Sequence, residues 1–345
     1  MDITQYLLVF VVVVVAIYDF TNGFHDTADM VATAIASKTM KASVAIAIVG
    51  IFTFLGPFVA GLAVADTVGT FVEISHTTTI HAQLLVISAL LSAVSYNLLT
   101  WKFGLPSSSS NSLAGGLVGA GLFIVGISNI NWGFEALLNA HLQGLTKVLA
   151  GLFVSPLFGF LVGFLIIKSI LFIFRRFTIK IRPLFIFTQY FSVAWLGFSH
   201  GANDAQKGMA IVGMMLYASH QTTHFFIPDW VIIMCTSAIT LGTIFGGWSI
   251  IKTLGFELYP IKLIDSIADQ LSASLVNTVS TLVGAPTSTT QVVTASLLGV
   301  GTAQKPKHVN WSKASQIVAG WIANVPISIA LGALYALFLT KIFGV

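Results

Sequence analysis

Gly104-Leu105-Pro106-Ser107-Ser108-Ser109-Ser110-Asn111 returns in the second half of the chain as Gly284-Ala285-Pro286-Thr287-Ser288-Thr289-Thr290-Gln291. Each copy is a Gly-x-Pro turn followed by four hydroxyl side chains and an amide, and each opens a small-residue apolar stretch (Leu113 to Gly126; Val292 to Gly301). That is the chemistry of a helix start. Proline suits the first turn, Ser and Thr satisfy orphan N–H groups, and the remaining N–H groups with the helix dipole attract an anion. Upstream, Asn97 and Thr100 align with Asn277 and Ser280 at the same shift. A second block repeats at a nearly equal shift, pairing Gly23 with Gly201 and Asp26 with Asp204. Two short blocks recurring in one order at nearly one spacing mark an internal duplication.

The surrounding residues decide what is duplicated. Of 345 residues, 56% are hydrophobic and 8% are charged, against about 25% charged in a soluble domain. The apolar runs are long and continuous, so the chain reads as a bundle of membrane helices and not as a barrel. At about 20 apolar residues per crossing, segments fall near 4–36, 43–65, 79–101, 104–127, 144–173, 184–217, 230–252, 263–282, 284–303 and 313–342. The run from Tyr6 to Tyr18, with its five consecutive valines, lacks a basic n-region and a cleavage site, and is the first crossing. Cys235 is the single cysteine, which excludes an intrachain disulfide, and no Cys or His cluster has metal-ligand spacing.

With the N-terminus outside, Lys38, Lys41, Lys102, Lys168, Arg175, Arg176, Lys180, Arg182, Lys252, Lys262, Lys305, Lys307 and Lys313 share one face. The positive-inside rule makes that face cytoplasmic, leaving Lys147 and Lys341 outside and Lys207 at membrane depth. Both termini then face out. The basic stretch 175–183 is a cytoplasmic linker between a first repeat, 1–174, and a second, 184–345; it serves as a topology signal or an anionic-lipid contact. An odd number of crossings per half inverts the second copy. The expected fold is therefore an all-α polytopic membrane protein of two inverted-topology repeats. Each has about five membrane-crossing or re-entrant segments, with broken helices at the midplane, as in many secondary transporters. The expected location is the inner (plasma) membrane.

Ionisable residues at membrane depth are expensive and mark pathways or relays. Here they cluster in Asn22-Gly23-Phe24-His25-Asp26-Thr27-Ala28-Asp29 and His200-Gly201-Ala202-Asn203-Asp204-Ala205-Gln206-Lys207. Asp26 and Asp29 are three apart, as are Asp204 and Lys207, so each pair shares a helical face. A helix break at Gly23 and at Gly201 would free carbonyls for a cation. His25 and His200 read equally as proton relays or as packed, hydrogen-bonded side chains. Asp19 reads as a helix-interface residue, and Asp265 and Asp269 as charges favoured at a helix N-terminus.

With these motifs, the chain resembles the inorganic phosphate transporter (PiT) family of bacterial type, whose hallmark is a Gly-Ala-Asn-Asp sequence in each half. Gly201-Ala202-Asn203-Asp204 matches outright, and Asn22-Gly23-Phe24-His25-Asp26-Thr27-Ala28 resembles the first-half version. The resemblance implies phosphate uptake coupled to a cation gradient. It places phosphate at Ser107, Ser108, Ser109, Ser110, Thr287, Ser288, Thr289 and Thr290, and the coupling ion or proton at Asn22, His25, Asp26, Asp29, Asn203, Asp204 and Lys207. Members commonly carry Asn in place of Asp29, sodium-coupled ones Asn in place of Lys207, and the family tends to carry His where Asn111 and Gln291 stand. A lysine ammonium can replace a bound sodium, so proton coupling is favoured. Under sodium coupling, Asp26, Asp29 and Asp204 would ligate the metal. The Gln206-Lys207 variant resembles proton-coupled members, some of which move a neutral metal–phosphate complex.

Substrate choice has a physical basis. Phosphate usually keeps a proton at neutral pH and sulfate does not, so a buried carboxylate accepts a hydrogen bond from phosphate and only repels sulfate. A sulfate or other oxyanion carrier on the same fold remains an alternative, as does an anion channel, although buried carboxylates suit an anion pore badly. An enzyme is not expected, because a catalytic constellation is assembled once and these polar groups are repeated symmetrically. No organic cofactor and no nucleic-acid partner is expected. The partners are phosphate and the lipid bilayer, and the sequence leaves a homodimer open.

Overall fold

The computed structural model describes residues 3–70, 77–139, 141–177 and 179–345. The helices are α1 (Ile3–Ala36), α2 (Ala42–Ala60), α3 (Ala63–Gly69), α4 (Thr79–Lys102), α5 (Ser109–Ile124) and α6 (Phe134–Leu138). They continue as α7 (Gly144–Ile173), α8 (Arg182–Ala218), α9 (Asp229–Phe245), α10 (Trp248–Lys252), α11 (Leu263–Leu282), α12 (Thr289–Gln304) and α13 (Trp311–Phe343). By length and apolarity α1, α2, α4, α7 and α13 suffice to cross a membrane. So does the pair formed by α9 and Trp248–Glu257, bent by 58°.

The segments near 104–127 and 284–303 are not full crossings. α5 and α12 have 16 residues each, about 24 Å, short of the roughly 30 Å hydrocarbon core. Each is the returning arm of a hairpin. α5 folds back along α4 through Ser112 Oγ to Asn97 Oδ1 (3.1 Å) and the Thr100–Ser107 hydroxyl pair (2.8 Å). Asn277 Nδ2 to Thr289 Oγ1 (3.2 Å) ties α11 to α12. Gly104 and Gly284 turn the two tips at φ 63° and 67°, backbone that a side chain would strain.

The hairpins enter from opposite ends of α1. Gln83, near the start of α4, donates to the Thr4 carbonyl (2.8 Å). Ser266, near the start of α11, donates to Thr33 Oγ1 (3.1 Å). The tips meet between them, where Ser110 Oγ donates to the Thr287 carbonyl (2.8 Å).

Other breaks fall away from the motifs. The segment near 43–65 stops at Ala60 and resumes as α3, whose Val64 and Ala65 N–H groups donate to Gln206 Oε1 (2.9 and 3.0 Å). The segment near 230–252 is the bent α9–α10 pair. By contrast α1 passes unbroken through Gly23 and α8 through Gly201, correcting the expected breaks there. Both glycines serve close approach: a Cβ at Gly23 would stand 2.0 Å from the Ile239 carbonyl oxygen, and one at Gly201 2.1 Å from that of Thr53. Two large apolar clusters result, beside a small third one around Ile167 and Ala268. One holds Val11, Val15, Leu85, Leu117 and Met209; the other Met30, Val49, Val193, Leu254 and Val293. Along α1 and α8, the polar motifs lie in the gap between the two.

Candidate functional site

α1 and α8 present their motifs to each other, each from the middle of an unbroken helix and with its acid and the residue three places on sharing one face. Every predicted site residue is buried: Asn22, His25, Asp26, Asp29, Asn203, Asp204, Lys207, Ser107 to Ser110 and Thr287 to Thr290. Lys207 is 1% exposed, so it does not snorkel. Its ammonium donates to an oxygen of Asp204, to Ser110 Oγ (2.5 Å) and to the Thr287 carbonyl (2.8 Å), tying the second motif to both hairpin tips.

The second hairpin supplies hydroxyls to the carboxylates. Thr289 Oγ1 donates to Asp204 Oδ2 (2.8 Å), which also accepts from His200 Nδ1 (2.9 Å). Thr290 Oγ1 lies 3.0 Å from Asp26 Oδ1 and 2.6 Å from Asp29 Oδ2. A hydroxyl has one proton. It cannot donate to two ionised carboxylates at once, so this bridge calls for a proton on one of them or a cation beside them. His25 Nδ1 stands 3.2 Å from Asp26 Oδ1.

The first hairpin answers with its own contacts. Ser109 Oγ donates to Asn22 Oδ1 (2.6 Å), Ser108 Oγ caps the Asn111 N–H (3.1 Å), and Ser107 turns back to Thr100. Ser288 caps Gln291 in the same way (3.3 Å), and the Thr287 N–H donates to Asn203 Oδ1 (3.1 Å). The hydroxyls thus cap the helix starts as expected, but several are spent on protein groups instead of standing free around an anion. A cavity of about 10 Å³ touches Ser110, Lys207 and Pro286, too small for a tetrahedral oxyanion. Within the cluster Asn22 Nδ2, His25 Nε2, Asp29 Oδ1 and His200 Nε2 are buried without protein partners, leaving donors and acceptors of both signs for a small polar guest.

Among the described residues two groups of side chains have metal-ligand spacing, His25 with Asp26 and Asp29, and Asp26 with His200 and Asp204, each with ligand atoms within 4.8 Å. The sequence reading has Asp26, Asp29 and Asp204 as metal ligands but excludes a histidine cluster by spacing along the chain; the structure adds His25, beside Asp26 and Asp29 on α1, and His200, which joins Asp26 and Asp204 across helices. Sequence reading also missed Tyr18, whose hydroxyl donates to the Ser109 carbonyl (3.4 Å), and Asn324, whose amide donates to the Ser108 carbonyl (2.8 Å). An asparagine inside the apolar run of α13 was the available signal for the second.

Helical hairpins meeting over a buried ionic cluster between long spans define a multi-pass membrane transporter, with no catalytic constellation required. Residues 22–332 match the phosphate transporter family, and the chain belongs to that family. It is 34% identical over 345 residues to a probable low-affinity inorganic phosphate transporter of Bacillus subtilis, covering 99% of this chain and 100% of that one. A Rhizobium meliloti protein of the same description is 34% identical, covering 95% of each. A solved structure described as the sodium-dependent phosphate transporter superimposes with a TM-score of 0.85 over 98% of this chain and 100% of that chain, at 24% identity, which shows the shared fold. The resemblance drawn from the two motifs holds.

Proposed function

We propose that this chain imports inorganic phosphate by symport with protons, through alternating access between inverted repeats 1–174 and 184–345 joined by a cytoplasmic linker, 175–183. The carrying observation is the Thr290 bridge: one hydroxyl proton between Asp26 and Asp29 leaves room for a second, carried proton. Lys207 supports the same reading. Its ammonium, bound to Asp204 and to both hairpin tips, supplies permanently the positive charge that a sodium ion would bring. The entry of the hairpins from opposite ends of α1 supports the inversion. With α1, α2, α7, α8, the α9–α10 pair and α13 as spans, and each hairpin returning to the face it left, both termini stay on one side, the outer one by the placement of the basic residues. Lys102 is the exception, since it ends α4 at the hairpin tip instead of on the cytoplasmic face.

Phosphate would dock where α5 and α12 begin, once the tips part. There it meets the Ser109, Ser110, Thr289 and Thr290 hydroxyls and helix N-termini, and its own proton finds a buried carboxylate that sulfate cannot use. Charge compensation couples the two movements. Phosphate in low dielectric is tolerable only where its charge is offset: protons on the carboxyls cancel their opposing negative charge and leave the Lys207 ammonium to face the anion.

A second reading has its own observation. The His25–Asp26–Asp29 and Asp26–His200–Asp204 sets suit a cation, so sodium, or a divalent metal travelling with phosphate, is the alternative coupling species. Radiolabelled phosphate uptake into proteoliposomes decides between them. Accumulation driven by a proton gradient and resistant to excess sulfate supports the proposal. Accumulation driven only by sodium replaces the coupling ion, and competition by sulfate replaces the substrate.

A further inference from the structure

α11 carries a carboxylate that the central site does not use. Asp269 is fully buried, and neither of its side-chain oxygens makes a hydrogen bond of ordinary geometry, with only the hydroxyls of Ser296 and Thr33 near enough to interact with them. A helix N-terminal charge does not explain it. Asp265, one turn earlier, already fills that place, accepting from the Lys262 N–H at 2.9 Å and from the Gln304 amide. Asp269 lies about 9 Å along the helix from its start, inside the membrane-embedded hairpin.

Among the described residues its surroundings offer no positive charge. The titratable groups that face it are Asp265 on its own helix and Asp29 on α1, both acidic. From α12 comes Ser296, whose hydroxyl donates to the backbone carbonyl of Asp269 (3.1 Å), and from α1 comes the hydroxyl of Thr33. On the α8 side stand Gln189 and Ser192, both engaged with Gln270. α7 covers the region with apolar side chains, Ile167 and Ile170 packing near Ala268. None of the ion pairs among the described residues includes Asp269. A bare carboxylate so placed would be far costlier than the neutral acid, and a second negative charge on each side raises that cost further. The counterpart position in the first half, at the shift that aligns the hairpins, is Ala89. The acid therefore belongs only to the hairpin that opens toward the face bearing the basic linker.

We propose that Asp269 is a proton-binding site separate from the Asp26, Asp29 and Asp204 cluster, lying between that cluster and the basic face. The carboxylate takes one proton and becomes a neutral acid; no other bond changes. Asp265 stands one turn nearer the surface, beside Lys262 and the exposed Lys305, so a proton leaving Asp269 meets a second carboxylate before water. Its part in transport rests on the proton-coupled reading above, whereas its protonation does not.

The test is an infrared difference spectrum of the reconstituted full chain at neutral pH, wild type against Asp269→Asn. The carbonyl stretch of a protonated, weakly bonded carboxyl group should be present in the wild type and absent from the variant, and Asp269→Glu should shift the band instead of deleting it. A difference spectrum showing only carboxylate bands overturns the site. In parallel, exchange of radiolabelled phosphate is followed with both faces brought to the same falling pH, so that no driving gradient changes. Wild type should slow several-fold, and Asp269→Asn should slow less; a variant that slows as the wild type does removes the group from the transport path. If a proton gradient drove no uptake at all, the central reading would fail, while the infrared band would still decide the protonation of Asp269.

Discussion

Asp29 and Lys207 occupy equivalent positions in the two halves, and each is held by the hydroxyl of the opposite hairpin's matching residue. Thr290 Oγ1 reaches Asp29 Oδ2 at 2.6 Å, and Lys207 Nζ reaches Ser110 Oγ at 2.5 Å. The duplication thus kept the contact and reversed the charge. One half carries an acid able to take up a cation, while the other carries a cation fixed in the chain.

Lys207→Asn should therefore change the coupling ion. Without the ammonium, Asp204 and the Thr287 carbonyl lose their permanent positive partner, and a sodium ion is the simplest replacement. Uptake by this variant should become sodium-dependent where wild-type uptake is not. Equal rates with and without sodium would refute the substitute role of the lysine.

Asp204→Asn should abolish concentrative uptake while the protein still inserts. It leaves a buried lysine unpaired, a loss of about 3–5 kcal/mol for a broken buried pair. Removing both charges with Asp204→Asn and Lys207→Met should restore much of the thermal stability without restoring transport. A double variant no more stable than the single one would show that the pair is not coupled.

Thr290→Val removes the hydroxyl proton donated to the Asp26–Asp29 bridge while keeping the side-chain volume. A buried acceptor left unsatisfied costs about 1–3 kcal/mol, so uptake efficiency should fall roughly tenfold or more, with Thr290→Ser near wild type. The same assay on Thr100→Val, whose hydroxyl pairs only with Ser107 and its own helix, should show a smaller change.

Gly23→Ala should be worse than its size suggests. The new methyl would sit 2.0 Å from the Ile239 carbonyl oxygen, which belongs to the backbone of α9 and cannot rotate away. Overpacking of this kind costs about 1–3 kcal/mol or more. Gly320→Ala, which meets nothing within 4 Å, is the control. Thermal unfolding in detergent separates them, and equal midpoints would mean that α1 and α9 are not in close contact.

The sequence by itself determined the class and showed the two duplicated blocks, and it pointed to the polar residues that the structure buries together. These follow from local chemistry: apolar runs admit only lipid-compatible helices, and the Gly-x-Pro-hydroxyl blocks can only begin a helix. Asp26, Asp204 and Lys207 were legible because charge in an apolar run has no cheap explanation. What the tertiary structure decided is how those pieces divide the membrane. Whether an apolar segment crosses or turns back depends on what meets its polar tip, and the tips of α4–α5 and α11–α12 are stabilised by each other and by Lys207. For the same reason Gly23 read as a break and proved a contact, since the Ile239 carbonyl that requires a glycine comes from α9, in the other half of the chain. Asp269 looked like a helix-start charge from its position alone; only the packing of α1, α7, α8 and α12 around α11 removed water and partners from it.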